Sequence, residues 1–156
     1  MFEWKNYTKE PTEEDLEKVK EEWKELTPEQ LLTIDEEYAE DCYCDIYDEI
    51  NEVITKEQLD ALITRFNKSV ENNKNNDNIY LPRYFEDGFF EEIEDEESIE
   101  DIEKEWVNHD LIYKDKFDRY FSYHYDGNCN WQNSGTIDEV EPYTETITVT
   151  KYRIKE

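Results

Sequence analysis

The side chains here that could do chemistry are, above all, carboxylates. Glu37, Asp41, Asp45, Asp48 and Glu52 follow one another at intervals of three or four residues. At about 100° per residue they fall on one helical stripe, with Cβ atoms of neighbours roughly 5–6 Å apart. A second group, Glu91, Glu92, Glu94, Asp95, Glu96 and Glu97, follows directly on Phe89 and Phe90. Aromatic rings beside charges suit the centre and rim of a protein interface. The same residues also fit two core phenylalanines followed by an acidic loop, and the pattern alone does not choose.

What such rows can do depends on what surrounds them. The stretch from Glu25 to Thr55 has eleven carboxylates and no Lys or Arg, and so does the stretch from Tyr84 to Glu103. The whole chain has 44 acids, 17 bases and a formal charge of −27, so the two zones carry −22 of it. Ordinary surface helices intersperse Lys and Arg among their acids. Charge this local reads as a recognition surface for a basic partner, a nucleic-acid-binding protein above all. The chain itself should be repelled by DNA, RNA and anionic membrane, which are polyanions.

Other chemistries find less support. Carboxylates can hold Ca²⁺ or Mg²⁺, but the EF-hand spacing fails after Asp87-Gly88. Cys42 and Cys44 are two residues apart on a helical pattern and point away from each other, with Cys42 expected inside and Cys44 near the surface. His109, His124 and Cys129 lie far off in sequence, so no zinc site is expected. There is no glycine-rich phosphate loop, no nucleophile elbow and no paired-histidine helix motif. No catalytic residue, metal or cofactor is assigned, and the expectation is a protein without enzymatic activity. A paired-carboxylate hydrolase leaves no local signature and stays as an alternative.

Low hydropathy with high net charge is also the mark of disorder. Against it, aromatics make up 15% of the chain, and Gly and Pro number only three and four. Each aromatic buries a large area, so a folded protein with a small aromatic-rich core is expected. Three cysteines and no apolar leader point to a reducing, cytosolic location. No stretch approaches the roughly 20 apolar residues that span a bilayer.

The elements that must position the acids can be read in order. Phe2, Trp4 and Tyr7 form an edge strand or a tether. Thr12 caps a first helix over residues 13–26, with Leu16, Val19, Trp23 and Leu26 on its inner face. Thr27-Pro28-Glu29-Gln30 is a capping box that opens a second helix. Leu31, Ile34, Tyr38, Cys42, Ile46, Ile50 and Val53 give it a broad apolar face beside the acidic stripe. Thr55 to Gln58 is another capping box, opening a third helix with Leu59, Leu62, Ile63, Phe66 and Val70 inward. Asn72 to Asn78 reads as a polar loop between lobes.

Beyond it, Ile79-Tyr80-Leu81 reads as a short strand and Asp87-Gly88 as a turn. Ile99, Ile102 and Trp106, with Ser98 as cap, predict a fourth, short acidic helix. Aromatics from Tyr113 to Tyr125 predict strands, with turns at Asp126-Gly127 and Asn133-Ser134-Gly135. Thr144 to Ile154 alternates strictly and is the clearest strand signal in the chain. The expected class is α+β: about three N-terminal helices and the short acidic helix packed with a small C-terminal antiparallel sheet. The chain should form one domain, or two lobes over 1–78 and 79–156.

In charge, size and layout the chain resembles a functional class rather than a sequence family: the small acidic proteins of phages and mobile elements that imitate DNA. The likeness rests on the stripe of Glu37, Asp41, Asp45, Asp48 and Glu52, and carries no shared motif. It implies an inhibitor acting in a bacterial cytoplasm, blocking the nucleic-acid cleft of a CRISPR effector, restriction enzyme or similar basic enzyme. Acidic immunity proteins, which neutralise a basic toxin, share the same features and form the alternative.

Overall fold

The computed structural model describes residues 9–34, 43–73, 79–103, 105–128 and 131–154. The class is α+β, with the described helices in the N-terminal half and a four-stranded antiparallel sheet following. The helices are α1 (Glu13–Lys24), α2 (Pro28–Leu31), α3 (Cys44–Val53) and α4 (Lys56–Asn72). Thr12, Thr27 and Thr55 each accept from the backbone N–H three residues on, while Asp15, Gln30 and Gln58 reach back to the capping residue. These reciprocal boxes satisfy donors that a helix start otherwise leaves open, which is why all three starts fall where the sequence puts them.

The long helix expected from Pro28 to Val53 is divided. Tyr43 is extended, with φ −70° and ψ 146°, and α3 begins only after it. Glu37 and Asp41 lie outside the described residues. Side chains seal the helix ends from outside. Gln58 Nε2 donates to the carbonyls of Trp23, in the last turn of α1, and Leu26, just past its end, at 2.8 and 2.6 Å. Lys116 Nζ donates to the carbonyls of Asn51 and Glu52 at the end of α3, placing a cation where the helix dipole favours one.

A single π-helical turn, Phe85–Phe89, leads from the helices into the sheet and is closed by the Phe90 N–H on the Phe85 carbonyl at 2.7 Å. The strands β1 (Glu91–Asp101), β2 (Trp106–Lys114), β3 (Tyr120–Asn128) and β4 (Trp131–Val140) pair in chain order. One core joins helices to sheet, with Trp23, Leu31, Ile46, Tyr47, Ile50, Leu59 and Phe66 from the former and Leu111, Tyr113, Phe121, Tyr123 and Ile137 from the latter. The π turn fills the middle: Phe85 stacks on Phe90 at 5.1 Å, and Phe90 on Tyr113 at 5.3 Å.

Several expectations are corrected. The fourth helix does not form: Ser98 and Ile99 lie in β1, paired with Asn108 and Val107, and Trp106 opens β2. Cross-strand pairing, which local spacing cannot reveal, overrides the helical period of Ile99, Ile102 and Trp106. Ile79-Tyr80-Leu81 is not a strand. Asp126-Gly127 is inside β3, not a turn, and Asn133-Ser134-Gly135 is inside β4 beside an irregularity opposite Tyr123 and Tyr125. Thr144–Ile154 has neither strand nor helix and is exposed throughout. A strand needs a partner edge, and the edge nearest to it is taken. Asn67 of α4 donates to the Ile137 carbonyl at 2.8 Å and accepts from the Ile137 N–H at 2.7 Å, so a side-chain amide occupies β4's outer rim.

Candidate protein-docking surface

β1 is the element on which the second acidic zone resides. Its sequence, EEIEDEESIED, contains little that favours a strand. What holds it extended is the register with β2, which runs from Glu91 opposite Lys114 to Asp101 opposite Trp106, with irregularities at Glu92/Glu94 and Ile99/Asp101. Residues 91–100 are all exposed. β1 is an edge strand, and among the described residues nothing pairs with its outer side.

Alternation distributes the acids over both faces of the sheet. Glu94 and Glu96 lie opposite Ile112 and Asp110, on the face turned away from the helices. There they join Asp110, His124 and Asp138 around an open groove of about 410 Å³. His124 Nδ1 lies 2.8 Å from Asp110 Oδ1, and among the described residues His124 is the only basic side chain lining the groove. Asp95 and Glu97, opposite Leu111 and His109, are on the other face, past the part that the helices cover. His109 Nδ1 lies 3.2 Å from Asp95 Oδ1 and 3.6 Å from Glu97 Oε1, and its ring stacks on Tyr125 at 4.4 Å. The ligand-type atoms of Asp95, Glu97 and His109 all fall within 4.8 Å of one another, so an imidazole meets two carboxylates that lie 14 and 12 residues before it in the sequence.

The local field is visible in the neighbouring titrations. Tyr125 is held above the ordinary phenol range, first by burial and then by the charges of Asp95, Glu86 and Glu97. Glu86 is likewise raised by burial, against the hydrogen bond it accepts from the Tyr113 hydroxyl at 3.0 Å. Among the described residues, no Lys or Arg forms an ion pair with Glu91, Glu92, Glu94, Asp95, Glu96 or Glu97.

The first acidic zone fares differently. Asp45 and Asp48 are exposed on α3. Glu52, at the end of the expected stripe, is bridged by Lys20 of α1 at 2.9 Å, and the same ammonium meets Glu49 at 2.5 Å. Those two hydrogen bonds lift Lys20 above the ordinary lysine range. A zone without bases in sequence thus receives one from a neighbouring helix, and its surface is partly neutralised. Phe89 and Phe90 are no part of the surface: both are buried, at 2% and 6% exposure, because the π turn drives them into the core. Cys44 is exposed, while Cys42 and Cys129 lie outside the described residues. No helix among the described residues is long and apolar enough to cross a membrane.

Sequence reasoning missed Asp110 and Asp138, and set His109 and His124 aside as too far apart for a metal site. Each is unremarkable alone, and only strand pairing gathers them; the one available signal was the alternation of His109, Leu111 and Tyr113, which marks them as one side of a strand. No family model, curated protein or solved structure matches the chain.

Proposed function

We propose that this chain is an acidic docking protein that occupies the nucleic-acid cleft of a basic protein, with β1 and the adjoining sheet face as the mimic. The reading rests on one observation: four consecutive carboxylates, Glu94 to Glu97, held in an extended strand with no Lys or Arg paired to them among the described residues. A strand rises about 3.4 Å per residue and alternates its side chains, so Glu94 and Glu96 on one face, and Asp95 and Glu97 on the other, stand about 7 Å apart. One strand of a nucleic-acid duplex carries one charge per about 3.4 Å of axis, a linear density that the two faces of β1 match only together. The charge row sits on an exposed edge strand, where a Lys- and Arg-lined cleft built for phosphate can take it. The mimicry thereby moves from the helical stripe of the first zone to the sheet of the second.

The kind of target this supports is a CRISPR effector, a restriction enzyme or another basic nuclease. The test is inhibition of a panel of such purified enzymes, with duplex DNA as competitor. Expected is inhibition that weakens with salt, is relieved by excess duplex, and is lost at least tenfold in Glu94→Lys/Glu96→Lys. Inhibition indifferent to that double reversal would remove the strand from the interface, and no inhibition across the panel would count against the reading as a whole.

A further inference from the structure

Two features of the fold answer each other. One is the outer rim of β1, unpaired among the described residues and lined with carboxylates. The other is Thr144–Ile154, the most strand-like stretch of the chain, which makes no strand and leaves Ile147 75%, Val149 68%, Tyr152 94% and Ile154 93% exposed. Alternation puts Thr144, Thr146, Thr148, Thr150, Tyr152 and Ile154 on one side. Ile147, Val149, Lys151 and Arg153 fall on the other. That second side carries two of the 17 bases of the chain, two to six residues from two β-branched apolar side chains.

We propose that Thr144–Ile154 of one copy of this chain adds as an antiparallel fifth strand to the free β1 edge of a second copy. Charge and hydropathy select the register. With Arg153 opposite Asp95, Lys151 falls opposite Glu97 and Val149 opposite Ile99. Directly opposed side chains in an antiparallel pair lie on the same face about 4.5–5.5 Å apart, so this register makes two ion pairs and one apolar pair. All three lie on the face that already holds His109 and Tyr125. Ile99, 70% exposed in the single chain, would be covered.

The donor must be a second copy, because the chain cannot reach its own edge in this direction. Val140 lies opposite Tyr120, in line with Lys114 and Glu91, and so stands at the Glu91 end of the sheet on its far side. Pairing of Arg153 with Asp95 requires Ile147 to stand beyond Ile99, near the other end of β1. At about 3.3 Å per residue that end is roughly 30 Å along the strand, with four interstrand spacings of about 4.8 Å still to cross. The seven residues from Val140 to Ile147 span at most about 25 Å when fully extended. Its own β4 edge is closed to it by Asn67, whose amide already holds the N–H and carbonyl of Ile137. The self-association takes up Asp95, Glu97 and the β1 rim and leaves Glu94 and Glu96 open, so it competes with the docking proposed above for that rim and is tested without it.

The test is the mass of the full chain in solution as a function of concentration, by sedimentation equilibrium. Expected is reversible association that weakens roughly tenfold or more in Lys151→Glu/Arg153→Glu, and equally in Asp95→Lys/Glu97→Lys. Combining the four substitutions restores the opposite-charge pairs and should restore association. Val149→Pro, in a segment that contributes nothing to the core, should abolish association without loss of fold, because proline removes a ladder donor. A chain that stays single at every attainable concentration overturns the proposal. So does association unmoved by either double reversal, or a fourfold variant no better than its parents.

Discussion

The carboxylate of Asp115, fully buried, holds Arg119 by Nε at 2.8 Å and accepts the backbone N–H groups of Phe117 and Arg119 at 2.9 and 3.0 Å. The turn between β2 and β3 is built on that one side chain. Arg119 then reaches out of the sheet to Asp60 of α4 at 2.6 Å, and its guanidinium lies over Phe121 at 5.1 Å. Sheet and helix are thus clamped through a charge withdrawn from water.

Removing the acid from that arrangement should be far worse than removing the pair. Asp115→Ala leaves a buried guanidinium and two orphaned amides, and is expected to cost about 3–5 kcal/mol. Asp115→Leu combined with Arg119→Met should cost less than the single change, since no charge is then left stranded. Urea unfolding of the three variants checks the order; a double variant worse than Asp115→Ala would contradict it.

Gly88 reports on the contact between the π turn and α3. A Cβ placed there would stand 2.6 Å from the Cβ of Tyr47, a buried residue with no room to retreat. Gly88→Ala should therefore destabilise by about 1–3 kcal/mol, as overpacking does. Thermal unfolding measures this, and a neutral substitution would mean that the turn and α3 are not in contact.

Alkaline pH should loosen the core in a defined window. Burial pushes the Tyr123 hydroxyl up to about 12, against the hydrogen bonds from Ser134 and Gln132. Burial, with Glu86 beside it, holds Tyr113 higher still. Both folded values exceed the unfolded value of about 10, so the stabilisation from keeping these phenols neutral is complete below about pH 10. It declines as pH rises through about 12 for Tyr123. Unfolding free energies measured across this range should fall, and Tyr123→Phe should fall less steeply. Equal slopes for the two proteins would show that Tyr123 titrates as it does in the unfolded chain.

Salt should stabilise the folded chain. A formal charge of −27, with six carboxylates of β1 unbridged by Lys or Arg among the described residues, repels itself in the compact state. At physiological ionic strength the screening length is about 8 Å, longer than the gap of about 6–7 Å between same-face neighbours along a strand. Raising sodium chloride from low concentration should raise the unfolding midpoint, and Glu96→Gln should raise it at low salt more than at high salt. A midpoint flat in salt would mean that the carboxylates are already compensated.

Local chemistry was enough to place the helix starts. Thr12, Thr27 and Thr55 could be found from the sequence because a capping box involves residues three apart, and nothing distant decides it. The inward faces of α1 and α4 were legible for the same reason, from the period of Val19 and Trp23 or of Leu59, Leu62 and Phe66. The acidity of residues 86–103 was equally plain, and with it the expectation of a basic partner. What only the tertiary structure decided is where pairing across distance outweighs local preference. Lys20 reaches Glu52 from another helix, Phe89 and Phe90 turn inward, and Glu91–Asp101 becomes a strand because Trp106–Lys114 lies beside it. Thr144–Ile154 shows the converse, for strand propensity is a preference for a neighbour's edge, and Asn67 already fills the edge within reach.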